Sequence, residues 1–370
     1  MGSIKQNYAN NVLTNGKFDA TDLDGVIPNT NINDNSIDNV TVFGTAGSGI
    51  PSVASDPPSP TVGDVWYNTT TNAFKYTGAG VGAWVSGGNM NTGRSSLAPA
   101  VSGTQTAALS FGGYTSPPFP AGVSSANEKY DGTSWTTATN LNSARYQLTG
   151  AGTQTAALAF GGFTAGFVAA TLTETYNGSS WTEVNDLNTG RYGLTGLGLQ
   201  TAALAVGGTP GTAQIAFTES WNGTSWTEVN DLNTARGENF MGGGTQTSGI
   251  IAFGQINPGS PSTKTAKTEL WNGTSWTEVN NGNTARSNLA GCGTQTVALA
   301  FAGLLPPSIA ATEKWDGTSW TTTSNMATAR DGIGGAGTQS SAVAFGGNPA
   351  STLTEEWSLP EFTIKSVTTA

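Results

Sequence analysis

The sequence predicts an all-β protein, a β-propeller of six blades, on three observations. The first is a repeat: Arg94, Arg145, Arg191, Arg236, Arg286 and Arg330 recur at spacings of 51, 46, 45, 50 and 44 residues. Self-similarity at about 40 to 50 residues marks a propeller or a solenoid. The second is the wording between the arginines. A run of small residues reaches Gly-Thr-Gln-Thr or a variant (Gly103, Gly152, Gly244, Gly293). An apolar strand then closes on Phe111-Gly-Gly, Phe160-Gly-Gly, Val206-Gly-Gly, Phe253-Gly-Gln, Phe301-Ala-Gly or Phe345-Gly-Gly. The third is composition. Charged residues make up 10% of the 370, and polarity comes instead from 51 glycines with Thr, Asn and Ser, which suits short strands joined by tight turns.

Residues 1–60 read differently from the rest. They are rich in Asn and Asp with isolated Val, Leu and Ile, too few apolar groups to offset the entropy of ordering the chain alone. They are expected to be an extended attachment segment, ordered against a partner, with the four prolines of 51–60 as a stiff linker. Residues 61–82 read as a β-hairpin connector, two aromatic strands flanking an Asn/Thr turn within Gly63-Asp-Val-Trp-Tyr-Asn-Thr-Thr-Thr-Asn-Ala-Phe-Lys-Tyr76. The propeller is expected over 83–358, with 359–370 as a C-terminal tail.

Repeat two illustrates the blade. Strand a is expected over 146–152, its narrow side chains suited to a crowded axis. Strand b, 156–160, is continuously apolar, as for a strand covered on both faces. Strand c, 171–176, alternates. Asn177-Gly178 signals a two-residue type I′ turn into strand d, which carries Trp181 and runs to about 186. Repeat six ends at Glu355-Glu-Trp-Ser-Leu-Pro without a strand d, whereas a spare one, about 83–89, stands before repeat one. The N-terminal strand is therefore expected to complete the last blade and remove its exposed edges.

The order of a Gly-Gly doublet after an apolar strand, an aromatic, a Trp and then an Arg resembles the kelch repeat over roughly 84–357. It departs from it in the Gly-Thr-Gln-Thr turns and in Phe253-Gly-Gln255. The wording looks like that of propeller proteins of marine bacteriophages, especially cyanobacterial ones. Gly63-Asp-Val-Trp-Tyr-Asn-Thr resembles a hairpin of phage tail-fibre proteins, and Asp19-Ala-Thr-Asp-Leu-Asp-Gly is similar to the starts of phage fibres. The resemblance implies a virion structural protein assembled in the host cytoplasm, docking to other virion proteins through residues 1–60 as a homo-oligomer. The expected role is a non-enzymatic tail or fibre adhesin for a host-surface glycan or protein. Alternatives are a capsid or neck decoration and a host-glycan hydrolase.

Candidate chemistry is sparse. The formal charge of −10, with every Arg at the repeat position, argues against nucleic acid. No apolar run is long enough to cross a membrane. Gln6 stands where myristoylation at Gly2 would want Ser or Thr. The absence of His removes the commonest general base and transition-metal ligand, and no cofactor or metal is expected. Asn185-Asp186 and Asn230-Asp231 offer oxygens for Ca²⁺ but sit where turn chemistry favours them. Cys292, alone, reads as a small buried thiol in a reducing compartment. One Arg and one Glu per repeat (Glu128, Glu174, Glu219, Glu269, Glu313, Glu355) read as structural pairs. Glu238 and Asp331 break the repeat on strand a and are expected at the channel mouth, where a carboxylate pair is the one arrangement suited to glycoside cleavage. The loops between strands b and c vary most, with 14, 11, 10, 14, 9 and 7 residues from the last glycine after strand b to the repeat's Glu, and insertions on one face of a repeat protein mark its binding face. Tyr114, Phe119, Phe163, Phe167 and Phe217 are the binding candidates there.

Overall fold

A computed structural model describes residues 13–14, 17–18, 51–60, 63–115, 121–256, 263–360 and 362–367. The chain divides into two compact units, Gly82–Leu359 and Met1–Val81 with Pro360–Ala370.

Gly82–Leu359 forms six four-stranded antiparallel sheets, the blades of a propeller. Blade two runs Thr149–Gly152 (a), Ala157–Phe160 (b), Thr173–Tyr176 (c) and Trp181–Val184 (d), in that order across the sheet. Strands a of the blades line an axial cavity. Burial then falls outward: strand b is buried at all four positions, whereas strand d buries Trp181 and exposes Thr182 and Glu183. The inner strands approach one another closely. A Cβ on Gly196 of blade three would lie 2.5 Å from the Gly150 carbonyl oxygen of blade two, so only glycine fits there.

Two local expectations are corrected. Strand a begins at Thr149 rather than 146, because Gln147 has a left-handed φ of 50° that breaks the extended chain. The c–d connection is not a two-residue type I′ turn. Tyr176 pairs with Trp181 across a four-residue loop in which Gly178 alone has positive φ. The Asn177 carboxamide oxygen caps it, accepting the N–H groups of Ser179 and Ser180 at 2.9 Å each. Asp131 and Asp316 do the same in blades one and five. Side-chain mimicry of a backbone turn, rather than tolerance of positive φ, selects Asn and Asp here.

Three devices recur at the joins between blades, the indole bond missing between blades one and two and the Phe contact between blades three and four, where Val206 ends strand b. The Gln of the a–b turn donates to two carbonyls of the preceding blade, as Gln154 Nε2 does to Ala108 O (3.0 Å) and Tyr130 O (2.6 Å). The strand-d indole donates to a strand-c threonine of the preceding blade, as in Trp226 Nε1 to Thr173 Oγ1 at 3.1 Å. The strand-d indole also packs on the Phe ending the preceding strand b, tilted for Phe160 and Trp226 at 4.9 Å between centroids and edge-on for Phe111 and Trp181 at 5.0 Å, the latter a geometry worth about 0.5–1.5 kcal/mol beyond the buried area. The repeat's Gln and Trp are thus interface residues.

Closure uses these same contacts. Ala83–Ser86 pairs antiparallel with Thr354–Ser358, Trp84 opposite Trp357, and so supplies strand d of blade six. Across the seam Gln105 Nε2 donates to Ala342 O (3.1 Å) and Trp357 O (2.8 Å). Trp135 Nε1 donates to Thr354 Oγ1 at 2.9 Å.

Blade four departs from its neighbours. Its strand b ends at Ala252, so Phe253, aligned by sequence with the Phe of Phe-Gly-Gly, occupies the first glycine position with φ 68°. Its ring still packs on Trp320, and the Arg286 guanidinium lies 4.2 Å from the ring centroid. Between Arg236 and strand a there is one extra residue, which leaves both Glu238 (φ 64°) and Asn239 (φ 42°) left-handed.

In the other unit, the expected hairpin is Val65–Asn68 with Ala73–Ala79. It is the centre of a four-stranded sheet. Ser52–Val53, placed by sequence in a stiff linker, adds in parallel, and Phe362–Val367, placed in a tail, adds antiparallel. Asp56 ties the former linker down, accepting Trp66 Nε1 (3.0 Å), Asn68 Nδ2 (2.7 Å) and Lys75 Nζ (2.7 Å). These bonds, that from Lys75 first, hold its carboxyl down to about 2. Of residues 1–50, the paired strands Leu13–Thr14 and Lys17–Phe18 are described; the attachment segment otherwise lies outside the described residues.

Candidate functional site

The arginines belong to the scaffold. Arg145 Nη2 meets Glu174 Oε1 at 2.8 Å, while Nη1 donates to Gly161 O and Leu172 O. The other Glu174 oxygen accepts the backbone and side-chain N–H of Asn142, on the segment entering from the preceding blade. Arg94–Glu128, Arg191–Glu219, Arg236–Glu269, Arg286–Glu313 and Arg330–Glu355 repeat the pair, all buried. Blade six alone has Ala327 in place of the Asn and keeps only the backbone bond. Burial pulls each guanidinium below its ordinary pKa and the facing Glu opposes that. No arginine is exposed for an anionic ligand.

The Ca²⁺ candidates are likewise committed. Asp186 accepts Thr171 Oγ1 and the Thr173 N–H, Asp231 accepts the Thr218 N–H, and Asn185 and Asn230 donate to Thr224 O and Thr274 O. The Cys292 thiol is fully buried and pushed up to about 12 by that burial, well away from thiolate chemistry.

Chemistry collects instead at one mouth of the axial channel. The residue two beyond each repeat arginine is left-handed: Ser96, Gln147, Gly193, Glu238, Asn288 and Gly332. Their backbones close a hydrogen-bonded ring. Gln147 N donates to Ser96 O (2.8 Å), Gly193 N to Gln147 O (2.9 Å), and Asn239 N to Gly193 O (3.1 Å). Asn288 N donates to Glu238 O (2.8 Å), Gly332 N to Asn288 O (2.7 Å), and Ser96 N to Gly332 O (2.7 Å). The extra residue of blade four splits the ring position, the Asn239 N–H donating to blade three while the Glu238 carbonyl accepts from blade five. Beneath lies an apolar layer, Leu97, Leu148, Leu194, Phe240, Leu289 and Ile333, lining the cavity.

The two residues flanking this ring in each blade, one after the Arg and one after the glycine doublet, pair as isolated bridges, Tyr146 with Phe163 and Tyr192 with Thr209 among them. On blades one to three they make an aromatic run. Ring centroids are 5.8 Å apart for Tyr114–Tyr146, 5.6 Å for Tyr146–Phe163, 4.6 Å for Phe163–Tyr192 and 6.2 Å for Phe163–Phe167. Phe167 is 67% exposed at the loop tip. Of the candidates, then, Tyr114, Phe163 and Phe167 come together. Phe217 does not: it sits at the entry to Thr218–Trp221, its carbonyl accepting the Gly207 N–H. Phe119 lies outside the described residues. Tyr146 and Tyr192 were missed by sequence reasoning, although their position after the repeat arginine, otherwise Ser95, Gly237, Ser287 and Asp331, was readable.

Blades four to six make the mouth polar. Glu238 has its pKa raised by burial, against the opposing effects of Lys264, Asn288 and Gln147. Gln147 Nε2 lies 3.4 Å from its Oε2. Lys264, carried in by the b–c loop of blade four, donates to Gln255 Oε1 at 2.6 Å. Burial lowers its pKa, while Glu238 and Asp331 act to raise it. Asp331, 6% exposed, accepts Ser308 Oγ at 2.5 Å. Tyr146 and Tyr192 are raised by burial first and also feel the Glu238 charge, so the aromatic and polar sectors adjoin.

Fold and site together define a β-propeller with an aromatic and ionic mouth. No family model matches the sequence, and no curated protein matches it. A solved structure titled "Structure of YjhT" superposes with a TM-score of 0.57 at 12% identity, over 75% of this chain and 99% of that one. At that identity the likeness shows a shared fold.

Proposed function

We propose that the chain is a bacteriophage virion structural protein, an adhesin of tail or fibre whose propeller engages the host surface without catalysing a reaction. The observation that carries the binding role is the aromatic run Tyr114–Tyr146–Phe163–Tyr192, capped by exposed Phe167 and Val168 on one of the loops that vary most between blades. Half-buried aromatics tipped by an exposed Phe167, beside a polar centre, suit a recognition surface. The virion assignment rests on the sequence resemblances of residues 19–25 and 63–69. Electron cryo-microscopy of the particle that carries this chain tests it. The expected result is the propeller at the distal end of a tail appendage with its b–c loops outward. A propeller flat on the capsid, its loops buried against neighbours, would overturn the adhesin role in favour of decoration, and a particle lacking the chain would overturn the virion role.

A further inference from the structure

We propose that the channel mouth binds one uncharged, hydroxyl-rich sugar ring, seated on the backbone ring between the tyrosines of blades two and three and the Glu238–Lys264–Asp331 group. The inference rests on the reading of the propeller as a surface-binding module and gives that module its ligand chemistry.

The first argument is the space between charges. Lys264 is within electrostatic reach of Glu238 and Asp331. Among the described residues, however, it forms no ion pair within 4.0 Å with either, and it donates instead to Gln255 Oε1. An ammonium that feels two carboxylates without pairing to either can be joined to them by groups that bridge. Hydroxyls do so from both sides, accepting from Lys264 and donating to the carboxylates.

The second is an excess of acceptors. Asn288 Oδ1 and Asn239 Oδ1 are buried and without a partner, a condition that costs stability unless a ligand or water supplies the donor. Both residues belong to the left-handed segments of the ring, Asn239 also lining the axial cavity. The ring's N–H groups are already committed to its own carbonyls. The mouth therefore wants donors and has few to give.

The same inventory rejects the rival ligands. An anion would meet two carboxylates against one lysine, with the backbone amides taken and every arginine buried in a pair. A metal cation would meet Lys264, and no group of three or more acidic, Cys or His side chains suited to a metal occurs among the described residues. An apolar ligand would bury Glu238 and Asp331 unpaired. A sugar ring presents hydroxyls at its edge and C–H groups on its face, matching the polar sector and the Tyr146–Phe163–Tyr192 wall.

Blade four supplies the final argument. Two consecutive non-glycine left-handed residues are strained, and such strain gathers at functional sites. At the first of the two stands a half-buried carboxylate, held at the mouth by the Gln147 and Asn288 side chains and without an ion pair within 4.0 Å among the described residues.

The test titrates the full chain with free glucose, galactose, mannose and N-acetylglucosamine, and with N-acetylneuraminate as the anionic comparison. Binding is followed by saturation-transfer NMR. At least one neutral sugar is expected to bind. Glu238→Gln and Tyr192→Ala are each expected to weaken it about tenfold or more, Phe217→Ala to leave it unchanged, and N-acetylneuraminate to bind more weakly. Circular dichroism checks that each variant is folded. The proposal is overturned if no neutral sugar saturates, if neither mouth variant changes binding, or if the anionic sugar binds best. Adsorption of the labelled chain to host cells separates the two readings. Adsorption unaffected by Glu238→Gln keeps the adhesin and rejects this site, whereas Glu238-dependent sugar binding without adsorption keeps the site and rejects the adhesin.

Discussion

Blade two and blade four use the same vocabulary to different ends. Both bury an Arg–Glu pair and both send a Gln into the preceding blade; blade four also donates its Trp276 indole to Thr218 of blade three, whereas the Trp181 indole of blade two finds no such partner on blade one. Blade two passes the axis with one left-handed residue, Gln147, whereas blade four needs two, Glu238 and Asn239. One inserted residue, absorbed without loss of a single sheet, turns a structural ring position into a carboxylate at the channel mouth. Scaffold and site are thus separable, because the interface contacts lie outside the ring.

Removing what the two blades share should do the most damage. Arg145→Ala and Arg236→Ala each strand a buried glutamate and should each cost about 3–5 kcal/mol. Urea denaturation reads this directly, and a loss below about 1 kcal/mol in either would show that the pair is not what holds the blade. Next in size is Gln154→Ala, which leaves Ala108 O and Tyr130 O of blade one without their donor and should cost about 1–3 kcal/mol.

The indole lock offers a change in the opposite direction. Blade one carries Asn127 where blades two to six carry Thr173, Thr218, Thr268, Thr312 and Thr354. Both Asn127 Oδ1 and its blade-two counterpart Trp181 Nε1 are buried without a partner. Asn127→Thr should restore the bond made elsewhere and add about 1 kcal/mol, and thermal denaturation showing no gain would break the analogy between the seams.

The smallest expected effect separates the blades by pH. The folded pKa of Glu238 is raised by burial. Its stabilising contribution is therefore complete below the ordinary carboxyl value of 4.5 and is lost as pH rises through the folded value. Glu238→Gln should match the parent in unfolding free energy near pH 4 and exceed it at pH 7, by up to about 1 kcal/mol. Equal curves for parent and variant across this range would remove the burial argument for Glu238.

The scaffold was readable because its residues recur. Arg, Glu, Gln and Trp at fixed spacing imply one environment repeated, and the missing strand after Trp357 beside the spare one at Trp84 implied where the ends meet. The mouth was harder for the opposite reason: its chemistry lives at the positions that differ. Ser96, Gln147, Gly193, Glu238, Asn288 and Gly332 share a backbone conformation rather than a side chain, and a shared φ leaves only a bias toward Gly, Asn and other polar residues. Glu238 was visible as an exception, but not its neighbours, since Tyr192 lies one repeat and Tyr146 two repeats away in sequence. Phe253 misled because a Phe before Gly looks like its counterparts; only the pairing of Ala252 with Thr268 shows the shift. Asn177 misled differently, its side chain closing the turn where backbone freedom was assumed.

The paired ends also have a mechanical meaning. The chain passes between its two units twice, after Val81 and after Leu359. The strands on either side of both crossings are paired to each other, Trp84 with Trp357 in blade six and Ala79 with Phe362 in the smaller sheet. A pull applied through the smaller unit therefore reaches the propeller along two tethers in parallel. Tension draws Ala83–Ser86 and Thr354–Ser358 in concert, loading their ladder as one strip and sparing it the residue-by-residue peeling that a single tether would impose.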